Sequence, residues 1–152
     1  MRALVQRVSS ASVTVQGDIV GAIGAGLCVF VGVTHSDTDA IACKVADKLW
    51  TLRILDDDDG VMNRSLADRA AGGQAAEVLV VSQFTLYGDT TGGRRPSWIA
   101  AARPEQAEPL VHAVVQRLGE HGATVATGRF RTEMQVSLTN DGPITLVLDV
   151  DA

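Results

Sequence analysis

Apolar and polar positions alternate from Met1 to Ser9, with Leu4 and Val8 among polar neighbours. The alternation resumes over Ser12–Gln16 through Val13 and Val15, breaks at Gly17-Asp18 and returns at Ile19–Ile23. A period of two marks half-buried strands, so these segments predict a three-strand meander. Leu27–Val33 is a continuous apolar run and predicts a fourth strand. Gly21, Gly24 and Gly26 lack phosphate-loop spacing, and no helical pattern follows at once, so they mark tight turning.

The period then changes. Ile41, Val45, Leu49 and Leu52 recur at helical spacing within Asp37–Leu55, with Asp37 or Ser36 as the cap. The acidic run Asp56–Asp59 reads as a solvated turn, because adjacent carboxylates point apart instead of converging on a cation. Val61–Gly73 reads as irregular. A second helix spans Pro104 to His121, with Leu110, Val114, Val115 and Leu118 on its apolar face. Either Pro104 or Pro109 marks its first turn, and Gly122 ends it.

Leu79–Asp89, written LVVSQFTLYGD, opens as a buried strand and turns polar at Ser82, Gln83 and Thr85. Burying a carboxamide and two hydroxyls costs free energy unless they find partners or line a wet cavity. Gly88–Trp98 is a loop by composition. Thr124–Ala126, Met134–Leu138 and Ile144–Val150 read as short strands, the last two joined by a hairpin-like turn at NDGP. The expected fold is α+β: a single compact domain over residues 1–152, with antiparallel or mixed β-sheets and two main helices on the outer faces.

The 152 residues suit one domain, and the 46% that are hydrophobic suffice for a core. No apolar run reaches membrane-spanning length, and the N-terminus lacks a secretory signal. Cys28 and Cys43 have no CxxC spacing, which leaves no disulfide framework or zinc site and points to a reducing cytoplasm. The net charge of −5 argues against broad nucleic-acid binding, and no DNA partner is expected. Local arginines run against that total: Arg94-Arg95, Arg129 with Arg131, and Arg2 with Arg7. They are candidate phosphate contacts, or simply solubilising charge. His35, His112 and His121 show no metal-binding spacing, and no cofactor is implied. Ser82 and Thr85 are candidate nucleophiles, yet no GxSxG elbow or partner base accompanies them.

The strings SQFTLYGD (Ser82–Asp89), GRRPSW (Gly93–Trp98) and NDGPITL (Asn140–Leu146), with the opening MRALVQRVSSASVTV, resemble the D-aminoacyl-tRNA deacylase family over essentially the whole chain. The resemblance implies a cytoplasmic homodimer that hydrolyses the ester between a D-amino acid, or mischarged glycine, and the tRNA 3′ end. It implies a pocket lined by Ser82, Gln83, Phe84 and Thr85, with Met134 beside the terminal adenosine. Gly142 and Pro143 would enter from the other subunit as a cis pair whose backbone excludes L-amino acids. Catalysis would lean on the RNA's own 2′-hydroxyl, although an older reading makes Thr85 the nucleophile. By its residues alone, Gly142-Pro143 is equally a tight turn. Where the family reads FGA, this chain has Phe130-Arg131-Thr132, and arginine holds a left-handed backbone less cheaply than glycine. Ordinary dihedrals or a displaced loop are therefore expected there, with Arg131 available to tRNA phosphate. The competing reading is a non-catalytic RNA-binding module that holds the 3′ adenosine.

Overall fold

A single strand of fourteen residues, β1 (Arg2–Val15), runs through the segment that the alternation divides in two. In this computed structural model, which describes residues 1–151, the sheet explains why. One edge of β1 pairs antiparallel with β3 (Gly26–Gly32) through Arg2–Val8, then with β2 (Asp18–Ile23) through Ala11–Val15. The other edge pairs along nearly its whole length with β8 (Gln135–Asp149). Pairing on that side carries β1 past exposed Ser9 and Ser10, with Ser10 opposite Thr139 and a register shift between Val8 and Ser10.

β8 is likewise one strand, which corrects the expected hairpin at NDGP. Asn140 faces Val8 and Thr145 faces Gln6, so Asp141–Ile144 stand against Arg7 alone. The Gly-Pro pair therefore lies on a bulge in a continuing strand. Asn140 ties the bulge at its base: its Nδ2 donates to Thr145 Oγ1 at 2.8 Å, and its Oδ1 accepts from Ile144 N at 3.2 Å. The Gly142–Pro143 peptide bond is cis.

The middle of the chain adds parallel pairing. α1 (Asp39–Thr51) connects β3 to β6 (Glu77–Ser82), and α3 (Pro104–His121) connects β6 to β7 (Thr124–Thr127). The strand order is β2-β1-β3-β6-β7, with β8 also on β1, so the sheet is mixed as expected. Its two ends meet. A Cβ on Gly21 in β2 would lie 2.4 Å from the Thr127 carbonyl oxygen in β7, so Gly21 permits a close approach and does not merely turn the chain.

This curled sheet buries two clusters. α1 and α3 pack together on one outer face over Val29, Val31, Val78 and Val80. The second cluster lies inside the curl and holds Val8, Val13, Cys28, Leu79 and Val81. Desolvation pushes the Cys28 thiol up to about 12, in line with an inert buried cysteine.

Local signals differ from expectation at two places. Thr38, not Asp37 or Ser36, caps α1, accepting from Ile41 N at 3.4 Å. Asp37 is buried and instead accepts from the Met1 ammonium at 2.6 Å and from Thr34 N at 2.8 Å. The segment expected to be irregular contains β5 (Met62–Arg64), paired with β4 (Leu55–Asp56), and α2 (Leu66–Ala71), which Ser65 and Asp68 close with a capping box. Pro104 takes the first position of α3, Pro109 falls inside it, and Gly122 ends it at φ +106°.

Arg7 is no phosphate contact. It is 9% exposed, and its guanidinium donates to the Asp141 carbonyl at 3.1 Å, the Ile54 carbonyl at 3.1 Å and Asp56 Oδ1 at 2.8 Å. One side chain thus joins the β8 bulge to the segment after α1. Arg2 is also engaged, on Asp149 and the Leu86 carbonyl. Removing the Arg7 guanidinium leaves the buried Ile54 carbonyl and the part-buried Asp141 carbonyl unpaired, so Arg7→Ala should lower unfolding stability in urea by about 2 kcal/mol. A loss below about 1 kcal/mol would mean that the bulge is held by other contacts.

Candidate active site

β3 and β6 run parallel and end side by side, and a cavity of about 670 Å³ opens at their carboxyl ends. Its floor is apolar: Val31 and Val81 at the strand ends, and Val33 just beyond β3. Crevices at the carboxyl ends of parallel strands are where α/β sheets commonly bind ligands, because loops replace the ladder there. Ser82, Gln83 and Phe84 line the cavity, as the polar end of LVVSQFT suggested.

The chain turns away from β6 in a 3-10 turn, Phe84–Tyr87. Gln83 directs its carboxamide Nε2 onto Thr85 Oγ1. The partner of that hydroxyl is therefore an N–H donor, which cannot act as a base toward it. Thr85 itself is exposed and does not line the cavity.

The other wall is aromatic. Phe84 stands edge-on to Trp98, with ring centroids 5.4 Å apart, and both line the cavity. Gly88 makes room for that indole, since a Cβ there would lie 2.5 Å from Trp98 Cζ3. The segment after Trp98 is latched to the end of β3: Thr34 Oγ1 donates to the Ala100 carbonyl at 2.6 Å, and the His35 ring meets the Ile99 carbonyl at 2.7 Å. His35 thus holds a wall and does not line the cavity.

Phe130, Arg131, Thr132 and Met134 complete the lining. Arg131 keeps a left-handed backbone, φ +57°, against the expectation of ordinary dihedrals or a displaced loop. Such a conformation costs a non-glycine residue roughly 1–2 kcal/mol. Thr132 helps to hold it, its Oγ1 donating to the Arg129 carbonyl at 2.9 Å. Met134 packs against Gly128, where a Cβ would lie 2.5 Å from its sulfur.

Two groups of expected site residues lie elsewhere. Gly142 and Pro143 are exposed on the β8 bulge and line no part of the cavity. Arg94 and Arg95 are exposed on the loop that the Asp89–Ser97 bridge closes, just before Trp98. Trp98 and Phe130 were not singled out from sequence, although Trp98 stands in GRRPSW. Among the described residues no cluster of His, Cys, Asp or Glu is arranged to hold a metal ion, and no helix is long and apolar enough to cross a membrane.

The fold is thus a curled mixed sheet of the α+β class, with an aromatic, carboxylate-free cavity at its parallel strand ends. The family model for D-Tyr-tRNA(Tyr) deacylase matches residues 4–149. D-aminoacyl-tRNA deacylases of Nocardia farcinica and Streptomyces coelicolor are 58% and 56% identical to this chain. The first match covers 98% of this chain and 99% of that protein, the second 99% and 100%. The solved structure of a c-Myc DNA Unwinding Element Binding Protein superposes with a TM-score of 0.91 at 36% identity, covering 100% of both chains. A probable eukaryotic D-amino acid tRNA deacylase shares the fold at a TM-score of 0.82 and 16% identity, over 98% of each chain. This chain belongs to the D-Tyr-tRNA(Tyr) deacylase family.

The turn that carries Phe84 ends at Tyr87, the one tyrosine of the chain. Burial, then the charge of Asp37, push its phenol up to about 12. The fold favours the neutral phenol, so its stabilising contribution is full below the ordinary value of 10 and is lost as pH rises from 10 through about 12. Absorbance titration of tyrosinate in the folded protein should therefore give a midpoint near 12. A midpoint near 10 would place the ring in water.

Proposed function

We propose that this single-domain chain cleaves the ester joining a D-amino acid to the 3′ end of tRNA, in the cytoplasm, as a chiral proofreading step. The chain is a hydrolase of the D-aminoacyl-tRNA deacylase class. The observation that carries the substrate assignment is the cavity itself, apolar and aromatic enough for an adenosine, with Ser82 and Gln83 at its strand-end floor. In this reading Phe84 and Met134 hold the terminal nucleoside, and the aminoacyl ester lies over the backbone at Gln83.

The lining contains no carboxylate, imidazole, amine or thiol, so the protein brings no general acid or base to the ester. That supports hydrolysis assisted by the vicinal 2′-hydroxyl of the RNA, with the protein supplying position and exclusion.

Chirality needs a wall, and this cavity is open on one side. We assign that wall to Gly142 and Pro143 of a second copy. Among the described residues β8 pairs only with β1, which leaves its other edge unpaired, and beside the bulge it exposes Leu146 and Val147, 37% and 56% accessible. A long unpaired edge with apolar side chains favours association. A backbone wall rejects an L side chain by overlap whatever its identity. It admits glycine, which has no side chain to reject.

The deacylation test separates this reading from an RNA-binding module. Purified protein should release free D-tyrosine from D-tyrosyl-tRNA and leave L-tyrosyl-tRNA intact. Binding without release would favour the module. Thr85→Ala should stay within about tenfold of the parent rate, whereas removal of a true nucleophile costs on the order of a million-fold. Turnover abolished in a folded, tRNA-binding Thr85→Ala protein would restore Thr85 as the nucleophile.

Arg94 and Arg95 flank the aromatic wall and are proposed to meet tRNA phosphate. Each phosphate neutralised contributes about −0.7 to the salt slope of single-stranded binding. The double substitution Arg94→Ala, Arg95→Ala should therefore flatten the slope by up to about 1.4 and keep the D preference. An unchanged slope removes this loop from the RNA footprint.

A further inference from the structure

A second cavity, of about 450 Å³, adjoins the first across Met134 and Thr132, which line both. Its remaining wall comes from the turn after β1, including Gln16 and Gly17, and from Arg129, Glu133 and Gln135. Its volume falls in the roughly 300–1,000 Å³ range of small-ligand pockets. Unlike the aromatic cavity, it presents side chains of both charges. Arg129 and Glu133 are exposed, and neither takes part in an ion pair among the described residues.

That pairing of charges restricts the occupant. A simple anion meets Arg129 but is repelled by Glu133, and a simple cation meets the reverse. A ligand carrying an anionic group at one end and hydrogen-bond donors at the other satisfies both. A nucleotide with an amino-bearing base has this form: its phosphate suits the Arg129 guanidinium, and its exocyclic amine suits the Glu133 carboxylate. A carboxylate side chain accepts from the cytosine N4 amine and finds only a repelling oxygen at the matching position of uracil. Continuity with the first cavity supplies the geometry, because a chain whose last nucleoside fills one cavity places the preceding nucleotide next to it.

We propose that this cavity is a subsite for the penultimate nucleotide of the RNA 3′ end, with preference for a base that carries an exocyclic amine over uracil. Arg129 meets the linking phosphate and Glu133 reads the base. The assignment rests on the proposed placement of the terminal adenosine in the first cavity. It places the phosphate contact expected of this segment on Arg129, whereas Arg131 lines the aromatic cavity.

The test uses non-hydrolysable ligands in which D-tyrosine is amide-linked to the 3′ position of adenosine, alone or extended at the 5′ side to CpA or UpA. Dissociation constants are read by calorimetry on the intact protein. CpA should bind about tenfold tighter than adenosine alone, the gain of one charge-assisted contact, and tighter than UpA. Arg129→Ala should abolish the gain from extension. Glu133→Gln should equalise CpA and UpA while keeping the gain from the phosphate. Circular dichroism of both variants guards against misfolding. Equal affinity of the adenosine and CpA ligands for the parent protein would overturn the subsite. Failure of the adenosine ligand itself to bind would instead overturn the proposed function on which the subsite rests.

Discussion

The structure depends on one strand keeping a partner on both edges while it passes between two cores. β1 pairs with β3 over its first half and with β2 over its second, and β8 follows it throughout. Ala3 and Val5 belong to the cluster under the helices, whereas Val8, Ala11 and Val13 belong to the cluster inside the curl. The register shifts fall at this exchange, near Arg7 and Ser9. There β8 carries surplus residues, and they emerge as the bulge with Gly142 and Pro143 at its tip. Arg7 fixes the bulge from below through the Asp141 carbonyl. The bulge is thus placed by sheet curvature and one buried guanidinium, not by a flexible turn.

The same curvature shapes the cavity. Parallel β3 and β6 end together, and the loops that leave them diverge around an apolar floor. Aromatic rings, aliphatic side chains, a carboxamide, two hydroxyls and the Arg131 guanidinium line the space, with no carboxylate, imidazole, amine or thiol. Such a site selects by shape and position. In the proposed reaction the reactive hydroxyl belongs to the substrate, so the protein's contribution is orientation of the ester and exclusion of the wrong enantiomer.

Much of this was legible in the residues. Period-two alternation marked β2 and both halves of β1, a continuous apolar run marked β3, period 3.6 marked α1 and α3, and the polar end of Leu79–Asp89 led to the cavity. What stayed hidden was non-local. Asn-Asp-Gly writes a hairpin and a bulge alike, and only the register against β1 separates them. Asp37 and Thr38 are both capping residues, but Asp37 is recruited by the Met1 ammonium, remote from it in sequence. Arg131 keeps its left-handed backbone, at φ +57°, within a turn that Thr132 supports. The capping box of α2 was readable at Ser65 and Asp68 as an S-x-x-D spacing and was missed because its helix is only six residues long.

The central claim is that each cavity is completed by the bulge of another copy. Subunit mixing tests it directly. Gly142→Ala damages only the bulge, because Gly142 sits at φ +125° and an added Cβ would lie 2.8 Å from Ile144 Cγ1. Gly128→Val is aimed at the cavity, because a Cβ there would lie 2.5 Å from the Met134 sulfur and a branched side chain must push that lining residue aside. Each protein alone should be nearly inactive on D-tyrosyl-tRNA. After exchange at equal amounts, half of the dimers would pair one intact bulge with one intact cavity, and activity should recover to about a quarter of the parent value. Mixed dimers, verified by mass, with no more activity than the two variants apart would contradict a site shared between subunits.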